Sequence, residues 1–277
     1  MKVLVAEKCG FCPGVRNAIN LAKKTLAERE KVYSLGPIIH NEDVVRQLAQ
    51  AGLKTIESVD QVSDGTVLIR SHGATQKELE TLENKGLKII DATCVLVKRV
   101  QKIAQILHEE GYKVVIIGDK NHPEVKAVVG SAHDVEVVGD KSDLDKIGKY
   151  KKLGVICQTT QSPDFFADMI GQIGRLEFSE IKIINTLCLE TMSRQEAAVK
   201  LCRQVDIMFV LGGLHSANTR KLAELCKKHN PQTWHLQNWD ELDISILSGK
   251  ETCGVTAGAS TPDKVIKEFV DKLTAFK

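Results

Sequence analysis

An α/β fold with parallel sheets, built three times over, follows from two observations. Short branched-apolar runs alternate with stretches of helical periodicity along the chain, and one strand-to-helix turn recurs. Leu87 to Cys94 reads LKIIDATC and Ile181 to Cys188 reads IKIINTLC, in register from the Lys through the Asp or Asn to the final Cys. A third copy opens the chain, where Met1 to Val5 (MKVLV) passes through the longer loop CGFC to Cys12. From Cys12 to Gly36, from Cys94 to Gly118 and from Cys188 to Gly212 the separation is 24 residues each time (36 − 12, 118 − 94 and 212 − 188).

Each element rests on local pattern. After Cys12, the residues Val15, Ala18, Ile19, Ala22 and Leu26 fall at helical spacing, with Pro13 suited to the first turn, and the helix ends near Glu28 to Lys31. A strand over Val32 to Leu35 reaches Gly36, then a loop with His40, an Asn41 cap, a short helix and a Gly stop. The strand Thr66 to Ile69 leads through SHGA, which carries His72, into a helix over Thr75 to Lys85 closed by Gly86. The second pass has a helix face of Val97, Val100, Ile103, Ala104 and Leu107, and a strand Lys113 to Ile117 ending at Gly118. DKNHPEV follows with His122 and Glu124, then a strand Leu153 to Cys157, QTTQS with Thr159, and a cap-and-proline pair at Ser162-Pro163. The third pass has Ala197, Ala198 and Leu201 on its helix, the strand Ile207 to Leu211, Gly212, and LHSAN with Ser216 and Asn218. TCGVTAGAS with Ser260 is capped at Thr261-Pro262 before a last helix to Phe276. No closing strand follows it, so Met1 to Ala6 is expected to supply one. The expected modules are residues 13–94, 95–188 and 189–277, the last completed by 1–12, closing as a pseudo-threefold ring around a central site.

Bulk composition narrows the function. The 277 residues carry a formal net charge of only +2, and no Lys/Arg block is interleaved with aromatics, which speaks against a nucleic-acid or membrane-surface role. No apolar run approaches the roughly 20 residues of a membrane span, and the start does not read as a signal peptide, so a cytoplasmic protein is expected. Eight cysteines in a reducing compartment call for a metal, a reactive thiol or core packing rather than disulfides.

Cys157, Cys202, Cys226 and Cys253 fall within strands or on helix faces and read as small core residues. Cys9-x-x-Cys12 has the spacing of a redox or zinc pair, but only Cys12 has counterparts, and the role of Cys9 stays open. Cys12, Cys94 and Cys188 all precede helices and point to a shared metal. Zinc would want a fourth ligand or a water, whereas three thiolates fit an iron-sulfur cluster better. A four-iron cluster normally takes four cysteines, so three leave one iron open as a Lewis acid.

Polar groups recur with the same register. Four residues past the three glycines stand His40, His122 and Ser216, and aligning the caps Thr75, Ser162 and Thr261 makes His72, Thr159 and Gly258 coincide, with Ser260 two positions on. Together with Asn218 they suit a diphosphate, and no P-loop or GxGxxG competes for that role. Glu124 reads either as a first-turn acid favoured by the helix dipole or as a proton donor beside the anion.

CGFCPGVRNAI, SHGA, DATC, HPEV, QTTQS, SRQEA, SANTRKLAEL and GVTAGAS, in this order over the whole chain, resemble the 4-hydroxy-3-methylbut-2-enyl diphosphate reductases of the non-mevalonate isoprenoid pathway. The resemblance implies a trefoil of three α/β domains, and a 4Fe-4S cluster on Cys12, Cys94 and Cys188. It implies an allylic diphosphate held by His40, His72, His122, Ser216, Asn218 and Ser260, with Glu124 as proton donor and Thr159 nearby. The hydroxyl leaves as water at the open iron, with electrons from a ferredoxin or flavodoxin. Two positions depart from the pattern: Ala217 stands where some relatives have a second Ser, and TMS at Thr191 to Ser193 varies a motif often written TTN. The rival readings are an anion-binding iron-sulfur redox sensor without catalysis and, third, a zinc hydrolase.

Overall fold

The computed structural model describes residues 1–214 and 216–276. In chain order it has β1 (Lys2–Val5), α1 (Pro13–Glu28), β2 (Val32–Leu35), α2 (Glu42–Gln50), β3 (Leu53–Ile56), β4 (Thr66–Ile69), α3 (Gln76–Asn84) and β5 (Lys88–Asp91). There follow α4 (Val95–Glu109), β6 (Lys113–Ile117), α5 (Pro123–Val129), β7 (Val135–Val138), β8 (Lys152–Cys157), α6 (Pro163–Ile173) and β9 (Glu180–Ile183). The last stretch has α7 (Leu189–Cys202), β10 (Ile207–Leu211), α8 (Ala217–His229), β11 (Thr233–Leu236), β12 (Thr252–Ala257) and α9 (Asp263–Ala275). None of these helices is long and apolar enough to cross a membrane.

The strands form three four-stranded sheets, ordered β3-β2-β4-β5, β7-β6-β8-β9 and β11-β10-β12-β1, with every pairing parallel. The α/β class with three equivalent parallel sheets therefore holds, and so does the closing strand, since Lys2 to Val5 pair with Thr252 to Val255. Contacts gather the chain into two compact units. One comprises Met1–Arg16, Ile39–Gln50 and the chain from Leu189 on, and contains the sheet of β1; the other comprises Asn17–Ile38 and Ala51–Cys188, and contains the other two sheets.

Parallel sheets bury both faces, and the alternation of side chains shows it here. In β10, Ile207, Phe209 and Leu211 pack with Phe269 and Leu273 of α9 on one face. Met208 and Val210 pack with Ala198 and Leu201 of α7 and Leu222 of α8 on the other. Cys157, Cys202, Cys226 and Cys253 are all buried, as read from the sequence.

The structure corrects two details. Thr261 is not a helix cap: the N-cap of α9 is Pro262, and the Thr261 hydroxyl donates to the Leu211 carbonyl at 3.0 Å. The loop after β4 also runs one residue longer than its counterparts, from strand end to cap, so aligning caps slips the register. The ladders pair Leu35 with Ile69, Ile117 with Cys157 and Leu211 with Ala257. Counted from those strand ends, Thr159 matches Ser71 and Ala259, and His72 matches Thr160 and Ser260.

Candidate active site

Ligands of parallel sheets sit beyond the carboxyl ends of the strands, and the residues singled out above stand there. The three cysteines share one backbone device. Cys94 N–H donates to the Ser71 carbonyl at 2.9 Å, Cys188 N–H to the Thr159 carbonyl at 2.8 Å and Cys12 N–H to the Ala259 carbonyl at 3.1 Å. The three acceptors are the equivalent residues just identified, two past the ends of β4, β8 and β12. Each cysteine is half-buried, stands outside any disulfide and directly precedes a helix, whose first N–H groups lack partners within the helix. In α1 the fit is visible, because the Val15 amide donates to Cys12 Sγ at 3.4 Å. Thiols are the donors an iron-sulfur group takes. Cys9 has no counterpart in this device: its side chain packs against the core under α9, and burial pushes its thiol up to about 11.

In the second unit, Glu124 is the chemically distinctive group. It is only 1% exposed, yet it sits in the first turn of a short helix that Pro123 starts and His122 caps. Glu124 Oε1 accepts from the Thr159 amide at 2.7 Å and Oε2 from the Thr159 hydroxyl at 2.8 Å. Because Thr159 also receives the Cys188 amide, Glu124, Thr159 and Cys188 form one hydrogen-bonded chain. His122 Nδ1 accepts from the Glu124 amide at 3.2 Å, which leaves Nε2 to carry the proton of the neutral ring. His72 meets it edge to face, the ring centroids 5.4 Å apart.

In the first unit, Asn41 caps α2 by accepting from the Val44 amide at 3.0 Å, and His40 precedes it. Ser216 caps α8, its Oγ accepting from the Thr219 amide at 3.3 Å and from the Thr219 hydroxyl at 3.0 Å, so its own O–H is left to donate. Asn218 lies in the first turn, half-buried, and Ser260 is buried one residue past the Cys12 partner Ala259. The first turn of α8 holds no acid, whereas α2 begins with Glu42 and Asp43, so of these two N-termini only that of α8 is electrostatically open to an anion. Glycines make the close approach here: a Cβ on Gly258 would lie 2.0 Å from Thr219 Oγ1, and Gly212 takes a φ of +141° against Thr261.

Sequence reasoning missed two supporting residues. Gln101 Nε2 donates to the Ala74 carbonyl at 3.2 Å and to the Ala127 carbonyl at 3.3 Å, tying the loop after β4 to α5. Arg194, 3% exposed, donates to the Ala257 carbonyl at 3.0 Å. Both lie on the inner faces of helices that follow a cysteine, and comparing those faces between repeats would have found them.

Known proteins match this chain along its length. The family model described as LytB protein matches residues 3–274. The 4-hydroxy-3-methylbut-2-enyl diphosphate reductase of Trichlorobacter lovleyi is 42% identical over 274 residues, covering 99% of this chain and 98% of that one. That of Aquifex aeolicus is 41% identical over 276 residues, covering 98% and 95%. A solved structure of the (E)-4-hydroxy-3-methyl-but-2-enyl diphosphate reductase is 40% identical with a TM-score of 0.76, covering 99% of both chains. The Plasmodium falciparum E-1-hydroxy-2-methyl-but-2-enyl-4-diphosphate reductase superposes at 0.92 with 30% identity, over 99% of this chain and 88% of that one. Repeated sheets, matching cysteine turns and relatives matched end to end agree, and the chain belongs to the LytB family, that of the 4-hydroxy-3-methylbut-2-enyl diphosphate reductases.

Proposed function

We propose that the protein is an oxidoreductase that removes the hydroxyl of 4-hydroxy-3-methylbut-2-enyl diphosphate as water, consuming two electrons and two protons and giving isopentenyl and dimethylallyl diphosphates. The observation that carries this reading is the chain Glu124–Thr159–Cys188, which joins a buried carboxyl to a cysteine of the repeated turn. Cys12, Cys94 and Cys188 would hold a 4Fe-4S cluster, which supplies electrons and an open Lewis-acidic iron. The modules are residues 13–94, 95–188 and 189–277 with 1–12. A reduced ferredoxin or flavodoxin delivers the electrons, and the protein works in the cytoplasm.

The chain's own groups divide the remaining work. His122 offers Nε2–H, Ser216 its hydroxyl and Asn218 its amide to the diphosphate, with His40, His72 and Ser260 completing the donors. An amide can only donate, so the Thr159 N–H keeps Glu124 Oε1 an acceptor and leaves Oε2 as the place for the carboxyl proton. That proton faces Thr159 Oγ1, which can pass one on as it accepts one.

Anaerobic purification should give a brown protein with about four irons and matching sulfide per chain. Changing Cys12, Cys94 or Cys188 to Ser should bleach it, and the reduced protein should convert the allylic diphosphate to products. A colourless, iron-free protein that still turned over would refute the reading, and a brown one that bound the diphosphate without product would be a sensor instead.

A further inference from the structure

The helices that follow the three cysteines act as one another's controls. The sixth, tenth and thirteenth residues after each cysteine are buried in all of them: Ala18, Ala22 and Thr25 in α1, Val100, Ala104 and Leu107 in α4, and Arg194, Ala198 and Leu201 in α7. Two helices thus meet the packing need of the sixth position with an apolar side chain. The third buries a guanidinium there, which is costly unless its donors are used.

One of them, Nη1, is used between the end of β12 and the one cysteine loop that breaks the repeat. The ladders place Val5, Ile89 and Ile183 at equivalent positions, opposite Val255, Val67 and Val155. From those positions Cys94 and Cys188 follow after five residues, and Cys12 after seven. The first loop therefore has two extra residues. Arg194 Nη1 donates to the Ala257 carbonyl at 3.0 Å, where β12 ends, and reaches the carbonyl of Lys8, inside the longer loop, at 3.5 Å. Cys9, next in the chain, is half-buried and close enough for the charge of Arg194 to act on its thiol. A long donor-rich side chain stands where Ala or Val serves elsewhere, and its guanidinium reaches both the end of β12 and the insertion.

We propose that Arg194 is a positioning residue for Cys12, fixing the extended loop Glu7 to Cys12 against the end of β12 so that Cys12 takes the place its two counterparts reach through a shorter turn. The proposal rests on the ligation reading above.

Amide hydrogen exchange on metal-free protein tests the loop directly. In Arg194→Met the amides of Lys8 to Cys12 should exchange at least about tenfold faster, while those of β4 and β8 keep their rates. Val100→Ala, at the equivalent position of α4, should weaken the fold without that local change. Arg194→Lys, which keeps a donor, should recover at least half of the protection. On iron-loaded protein, the electron paramagnetic spectrum of the reduced centre should change in Arg194→Met and return towards the parent in Arg194→Lys. Parent-like exchange of Lys8 to Cys12 in Arg194→Met overturns the proposal, as does equal acceleration in Val100→Ala. Should Arg194→Met not fold, Arg194→Gln is read in the same way. If the unaltered protein takes up no iron, the ligation reading fails, while the exchange comparison still decides the role of Arg194.

Discussion

The chemistry of Glu124 is set by what its two oxygens accept. Both are occupied by Thr159, one by an amide that can only donate and the other by a hydroxyl that can donate or accept. Glutamine can satisfy the same pair, its carbonyl taking the amide and its NH2 giving to the hydroxyl, but it has no proton to release. Glu124→Gln should therefore keep iron content and KM close to the parent and lower kcat by at least about a hundredfold, the usual scale of a lost general acid. Steady-state kinetics with a chemical reductant checks this, and a parent-like kcat would remove Glu124 from the proton path. The turns that carry His122 and Thr159 were legible in the sequence because they repeat. That Thr159 matches Ser71 and Ala259 was not, since a one-residue difference in loop length leaves no trace in composition.

At the level of elements, the centres of the sheets and the edge strands that lead to the cysteines were readable, and the opposite edges were not. Val32–Leu35, Thr66–Ile69, Lys113–Ile117 and Ile207–Leu211 appear as strands with the bounds their apolar runs imply. The strands β3, β7 and β11 went unread because each is only four residues long, mixes in polar residues, as Lys54 and Thr55 do in β3, and has no repeated cysteine turn behind it to mark it. The repeated Asp or Asn of the cysteine turn has a physical reason: Asp91 Oδ1 accepts from the Thr93 amide at 2.9 Å, and Asn185 Oδ1 from the Leu187 amide at 3.0 Å, the same side-chain turn. Burial opposes ionisation of Asp91, but hydrogen bonds from Lys98 and Thr93 outweigh it and hold the carboxyl below its ordinary range. A depressed carboxyl adds stability above its unfolded pKa of about 4, and that stability is lost as pH falls through the folded value. Asp91→Asn should keep the turn, as Asn185 does, and lose only the exposed ion pair with Lys98, worth under about 1 kcal/mol. Thermal midpoints should show the parent slightly ahead at pH 7 and the gap closing on acidification below about pH 4. A gap that widens with acid would contradict the assignment.

Across the whole molecule the telling feature is that the first strand completes the last sheet. β1 is an edge strand beside β12, and its side chains divide between two cores, Val3 packing on the side of α9 and Leu4 on the side of α7 and α8. The amides of Lys2 and Ala6 donate to the carbonyls of Glu251 and Val255, so with Leu4 level with Gly254 the alternation of a parallel ladder gives the Leu4 amide to β12 as well. The amides of Val3 and Val5 then face the open edge, and Val5 is 46% exposed. Proline separates these two classes of position, because it removes a donor that matters only where the ladder uses it. Leu4→Pro should lower the thermal midpoint by several degrees and speed exchange of the β12 amides, while Val5→Pro should cost little. Equal effects would mean that β1 contributes through side-chain burial alone. The expected asymmetry would show that the ladder to β12 is needed, and with it the backbone that leads through Gly10 to Cys12, so that a cysteine early in the sequence depends on a strand late in it.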